Sequence, residues 1–180
     1  MDVDTRQQQR IFEFDQDPGA SRLSPDGTQL AYSPFVGGAV NISLMDLASR
    51  ITKQITFDKE FLGFPAWSPD GKFLSAELHR GADTNIVILP SSGGAVTQLT
   101  FDHGNNWPQG WSSDGDKILF AKQQEDGIWN VWSVSRSTKE EKQFTHYTKP
   151  NSYVRYPYHV TSRQSGCVRI FGGEWEYLDA

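Results

Sequence analysis

The chain has 180 residues, 37% of them hydrophobic and 13% aromatic, with six Trp, eleven Phe and six Tyr. That is enough bulky apolar surface to offset the entropy of ordering, which excludes a disordered protein. Seventeen Lys and Arg stand against 22 Asp and Glu for a net charge of −5, with no dense basic stripe, so nucleic acid is excluded as the main partner and an anionic membrane surface with it.

Residues 1–10 lack an apolar stretch of signal-peptide length. Residues 11–14, Ile-Phe-Glu-Phe, predict an outer strand. Thr56 and Thr100 each precede the next Ser-x-Asp-Gly serine by 12 residues, and counting 12 back from Ser24 lands on Phe12. Asp15, Asp17 and Asp26 fall on three places of a calcium-loop template, but Gly19 occupies a place that needs a ligand, so a capped turn is expected there instead.

From residue 20 the chain repeats itself. Ser24-Pro25-Asp26-Gly27, Ser68-Pro69-Asp70-Gly71 and Ser112-Ser113-Asp114-Gly115 recur at intervals of 44 residues. Asn41-Ile42, Asn85-Ile86 and Asn130-Val131 recur at 44 and 45 residues, as do Gln54-Ile55-Thr56, Gln98-Leu99-Thr100 and Gln143-Phe144-Thr145. Three markers at one period define units at 20–57, 63–101 and 107–145. Each reads as four short strands. In the second unit, Ser-Pro-Asp-Gly is a turn in which Pro presets φ, Asp bonds nearby backbone and Gly accepts positive φ. Strands are expected at 73–78, 85–89 and 96–101, separated by the polar connection 80–83 and the Ser-Ser-Gly-Gly turn at 91–94. Leu30, Leu74 and Ile118 share one face with Tyr32, Ala76 and Phe120, while Ala31, Ser75 and Leu119 lie on the other. Two apolar faces suit a sheet sandwiched between like sheets, as a blade is within a β-propeller.

The 67–72 segment Trp-Ser-Pro-Asp-Gly-Lys, the Asn-Ile strand and the closing Gln-Leu-Thr resemble the WD-like repeats of TolB-like propellers, and also those of the N-terminal propellers of prolyl-oligopeptidase-family peptidases. The resemblance covers roughly residues 20 to 157. It implies an all-β fold, a β-propeller of four-stranded antiparallel blades, and a periplasmic or extracellular setting in a bacterial envelope.

Residues 156–180 read as a degenerate, incomplete fourth blade. The turn serine-aspartate pattern is replaced by Ser-Arg-Gln-Ser-Gly at 162–166, and no closing Gln-Leu-Thr follows. With the 11–14 strand this gives about four blade equivalents. They can form a closed small ring, half of a ring completed by a homodimer, or an arc of a larger one. The single cysteine, Cys167, cannot form an internal disulfide, and the longest aliphatic run, 86–89, is far too short to span a bilayer, so no membrane insertion is expected.

No nucleophile elbow, phosphate loop, dinucleotide fingerprint, H-E-x-x-H or paired C-x-x-C occurs, so the reading leans away from an enzyme, with no catalytic residue, metal or cofactor expected. Asp26, Asp70 and Asp114 recur in every unit and are expected to hold turns. Trp67 and Trp111 are expected to pack between blades. Of His79, His103, His146 and His159, placed mainly in connections, only His103 has carboxylate and amide neighbours that could orient it. Function then falls to residues that differ between units on the connections of one rim: Asp58, Glu60, Arg80, Asp83, Asp102, His103, Asn105, Asn106 and Trp107. The connections 123–126 and 148–153 share that rim. The expected role is an interaction or sensor module binding a protein, peptide or small ligand. The alternatives are a gating propeller of a serine peptidase, and a hydrolase or lyase with a channel-centred site.

Overall fold

The computed structural model describes Phe14, residues 17–149 and two short strands near the C-terminus. The first sheet has the order β1 (Ala20–Leu23), β2 (Gln29–Ser33), β5 (Ser43–Asp46), β6 (Thr52–Gln54). The second runs β7 (Phe61–Trp67), β8 (Phe73–Arg80), β9 (Asp83–Pro90), β10 (Thr97–Gln98), and the third β11 (Asn106–Trp111), β12 (Lys117–Gln123), β13 (Trp129–Ser135), β14 (Glu141–Gln143). A hairpin of β3 (Phe35–Val36) and β4 (Ala39–Val40) rises from the first sheet and joins the edge of the second, where Val40 pairs in parallel with Phe61. β15 (Cys167–Arg169) and β16 (Trp175–Tyr177) form a separate antiparallel pair. The described residues contain no helix. The chain is all-β, and its successive four-stranded antiparallel meanders are the blades of a partial propeller. Of the expected outer strand at 11–14 only Phe14 is described, its ring 4.9 Å from that of Tyr32. His159 and the 162–166 turn lie outside the described residues.

The recurrent turn is built the same way three times. Ser24 Oγ donates to Asp26 Oδ1 at 2.6 Å, the same Asp oxygen accepts the Thr28 amide at 3.0 Å, and Ser24 Oγ accepts the Gln29 amide at 2.9 Å. Ser68 and Asp70, then Ser112 and Asp114, repeat these bonds at matching distances. In each turn the serine hydroxyl first, then the backbone amide two residues on, holds the carboxyl below its ordinary range. A carboxyl depressed in the folded state stabilises above its unfolded pKa and loses that contribution as pH falls through the folded value. Asp70→Ala is therefore expected to lower Tm by a few degrees at neutral pH, and the gap between variant and parent should narrow on acidification. A gap that stays constant to low pH in a thermal melt series would refute this role.

The other markers form a clasp between the third and fourth strands. Thr100 Oγ1 donates to Asn85 Oδ1 at 3.0 Å and accepts the Ile86 amide at 2.9 Å, while Gln98 Nε2 donates to the Thr100 carbonyl at 2.8 Å. Asn41, Thr56 and Gln54 make the same set, and so do Asn130, Thr145 and Gln143. Because the threonine hydroxyl takes an amide that a ladder carbonyl would otherwise take, β10 stops at Gln98 rather than running to 101. β8 and β9 run longer than expected. They meet at the Arg80↔Asp83 pair across a two-residue turn, with Gly81 at φ +61°.

The blades pack face to face. Ala31, Ile42, Leu44 and Ile55 of the first sheet bury against Leu62, Leu74, Ala76 and Leu78 of the second. Ile86, Ile88 and Leu99 bury against Trp111, Ile118, Phe120 and Val134 of the third. Trp67 Nε1 donates to the Arg22 carbonyl and Trp111 Nε1 to the Ala66 carbonyl, both at 3.0 Å, so each tryptophan ties its inner strand to that of the preceding blade.

Candidate functional site

The connections from second to third strand and from fourth strand to the next blade emerge together on one rim, opposite the Ser-x-Asp-Gly turns. Their side chains link neighbouring sheets. Arg80 clamps Asp58 with two bonds, Nη1 to Oδ1 at 3.0 Å and Nη2 to Oδ2 at 2.6 Å. This planar fork geometry fixes both groups more firmly than a single ammonium contact could. The Arg80 guanidinium holds the Asp58 carboxyl below its usual range, and Asp58 in turn raises Arg80. The Glu60 carbonyl accepts the Val40 amide at 2.9 Å, which seats the β3–β4 hairpin beside it.

Asp83 gathers the next connection. Its Oδ1 accepts the Gly104 amide at 2.9 Å and its Oδ2 lies 3.0 Å from His103 Nδ1. The Gly104 amide first, then His103, lowers the Asp83 carboxyl. The His103 side chain is 97% exposed, so its ring is oriented by Asp83 yet fully presented to solvent. Asn105 Nδ2 donates to Gln123 Oε1 at 2.7 Å, carrying the linkage on to the third sheet.

Three expected site residues turn inward. Asn106 is fully buried and donates to the Thr84 carbonyl at 3.1 Å. The half-buried Trp107 ring packs 4.2 Å from that of Trp129. Asp102 Oδ2 lies 2.7 Å from Lys122 Nζ, which also reaches Glu141 Oε2 at 2.8 Å and sits 4.8 Å over the Trp132 ring. Burial pulls the Lys122 ammonium downward, but the two carboxylates outweigh it and its pKa is raised. Lys122 and Glu141 carry no sequence signal of this role, because their strands are distant in the chain and only sheet packing joins them.

Two further features escaped the sequence reading. The β3–β4 hairpin presents Phe35 and Val36 at 70% and 57% exposure on the rim. Beneath the rim, His79 lies within β8 rather than in a connection; its Nε2 is 3.1 Å from Glu77 Oε2, and its ring stacks 4.0 Å from Phe61. Glu77 is buried, and that burial raises its pKa against the opposing effect of His79. Among the described residues, no group of three or more His, Cys, Asp or Glu side chains could hold a metal ion, and no helix is long and apolar enough to cross a membrane.

The blades have solved counterparts. The fold superposes on TolB from Acinetobacter baumannii with a TM-score of 0.68 at 27% identity, covering 86% of this chain and 38% of that one. For a putative TolB from Agrobacterium tumefaciens the TM-score is 0.64 at 22% identity, over 72% of this chain and 50% of that one. A prolyl endopeptidase shares the fold at a TM-score of 0.57 and 16% identity, over 72% of this chain and 22% of that one. The chain thus spans half or less of the length of these relatives. Comparison with curated protein sequences finds no match. The sequence profile of the TolB beta propeller domain matches residues 1–154, and the chain belongs to that family.

Proposed function

We propose that this chain is a non-catalytic interaction module that binds a protein or peptide partner through the rim holding Arg80, Asp83 and His103. The observation that carries this reading is the cross-blade bonding of rim side chains: Arg80 with Asp58, Asp83 with His103 and Gly104, and Thr84 with Asn105. Groups already held in place lose little entropy when a partner docks on them. The exposed Phe35 and Val36 add apolar area next to these charges, the mixture that protein interfaces favour. By family resemblance the setting is periplasmic or extracellular.

Arg80→Ala combined with Asp83→Ala is expected to weaken partner binding about tenfold or more, the loss of at least about 1.4 kcal/mol that central interface residues carry. The immobilised chain would be tested against a fractionated envelope extract, with Asp70→Ala on the opposite rim as the control. Equal retention of every bound species by the parent and the double variant would sink the reading.

A further inference from the structure

We propose that Glu77 and His79 form a one-proton switch beneath the rim: the joint between the second and third blades is tight while the pair holds a proton, and releasing it loosens the connection at residues 104–106. The pair lies on the side of β8 that faces the third blade. Leu74, Ala76 and Leu78 point into the core shared with the first blade, so the alternate residues Glu77 and His79 point the other way. Glu77 stands opposite Ile86, which belongs to the core shared with the third blade, and His79 stands opposite Thr84. The Glu77 side chain is 4% exposed, and among the described residues its carboxyl meets one polar partner, His79 Nε2 at 3.1 Å from Oε2. The imidazole stacks 4.0 Å from the Phe61 ring and is 34% exposed, so it joins a buried carboxyl to solvent.

Among the described residues no other charge acts on Glu77. β8 packs against β7 and β9 and, across the blade interface, against β11. β7 and β11 carry no titratable residue, and β9 carries only Asp83, which is held by the Gly104 amide and His103. Arg80, at the end of β8, is clamped on Asp58. Of the lysines on β12, Lys122 lies between Asp102 and Glu141, and Lys117 alternates with Ile118 and so faces away from the second blade. The repeat does not need a carboxyl at this place. Aligning Leu74 with Leu30 and Ile118 puts Ser33 and Ala121, both buried, where Glu77 stands, and Phe35 and Gln123 where His79 stands. What the second blade gains is a titratable group in a dry joint.

With one proton between them the two groups are together neutral, whether it sits on the carboxyl or on the ring. Once that proton leaves through the exposed ring, the neutral imidazole can still donate from Nε2. A net negative charge then stays in the interface with no cation to offset it. Burial holds the Glu77 carboxyl above its ordinary range against the opposing effect of His79. The folded chain thus binds this proton more tightly than the unfolded chain, and the stabilisation, full below the ordinary carboxyl range, is lost as pH rises through the folded value. The rim feels the loss because Thr84, opposite His79, donates its amide to the Gly104 carbonyl at 2.8 Å and accepts from Asn106 Nδ2 at 3.1 Å.

The test is amide hydrogen exchange on the full chain, corrected for intrinsic exchange, from about pH 5.5 to about pH 8.5. Protection of the Thr84 amide is expected to fall at least about fivefold across this range. That of the Ile55 amide, bonded to the Ile42 carbonyl within the first blade, should stay level. Glu77→Gln can keep a hydrogen bond to His79 but has no proton to release, so its Thr84 protection should hold within about twofold. His79→Gln leaves Glu77 as the sole holder of the proton, and the fall should set in at lower pH. Thr84 protection independent of pH in the parent, an equal fall in Glu77→Gln, an equal loss at Ile55, or a transition unmoved in His79→Gln would each overturn the switch. No partner takes part in the measurement, so a failure of the interaction reading leaves its outcome standing.

Discussion

Phe120→Ala is expected to be the most damaging single substitution among the described residues, costing about 3–5 kcal/mol. Phe120 is the largest fully buried side chain and sits between Ile86 and Ile88 of the second sheet and Ile118 and Val134 of its own. Truncation removes a ring from the centre of an inter-blade core, and two sheets braced by backbone ladders cannot close the gap. Urea unfolding followed by tryptophan fluorescence should show a lower midpoint. Phe120→Leu keeps most of the volume and should recover more than half of the loss. If alanine cost less than about 1 kcal/mol, blades two and three would not depend on this contact.

The second large effect belongs to a polar residue. Asn130 is buried, and its Oδ1 accepts from Thr145 Oγ1 at 3.0 Å and from the Tyr147 amide at 2.8 Å, while Nδ2 donates to Gln124 Oε1 at 2.9 Å. Asn130→Ala leaves the buried Thr145 hydroxyl without its acceptor, while the exposed Gln124 and Tyr147 turn to solvent, and about 1–3 kcal/mol of stability should go with the loss. Asn130→Asp keeps the acceptor but buries a carboxyl in place of an amide donor. Burial raises the pKa of that carboxyl in the folded state, so protonation should favour folding and the variant should gain on the parent as pH falls. Denaturant midpoints at neutral and mildly acidic pH would check the sign. An Asp variant that loses ground to the parent on acidification would mean that the amide donor to Gln124 matters more than the acceptor.

These two residues mark different degrees of legibility. Asn130 stands out in the sequence because each blade needs the same clasp, and a bond required once per repeat leaves a residue once per repeat. The Ser-x-Asp-Gly turns are legible for the same reason: their hydrogen bonds join residues within five positions of one another. Local chemistry repeated three times is enough to specify four-stranded blades and, with both faces apolar, their stacking. Phe120 could be placed on the shared face from the register of the repeats, but only packing decides that it becomes the fully buried centre of an inter-blade cluster.

The candidate site was legible as a location and not as an arrangement. Asp58, Arg80, Asp83 and His103 could be assigned to one rim because propeller connections alternate between two faces. Their pairing could not be foreseen, since Arg80 reaches Asp58 across 22 residues and Asp83 reaches Gly104 across 21, from one blade to the connection beside it. Asn106 and Trp107 show the converse: polar or aromatic identity in a connection says nothing of direction, and the start of β11 turns both inward. The β3–β4 hairpin was hidden because Phe-Val-Gly-Gly-Ala-Val is too short to signal a strand pair, and its hold on the second sheet is a parallel contact between Val40 and Phe61. By itself the sequence determined that this protein is a stack of equivalent blades with variable connections on a common rim, because turn and clasp bonds are local and recur. Only the tertiary structure decided which rim groups are locked together and which are buried, because those outcomes depend on contacts between blades that have no fixed spacing along the chain.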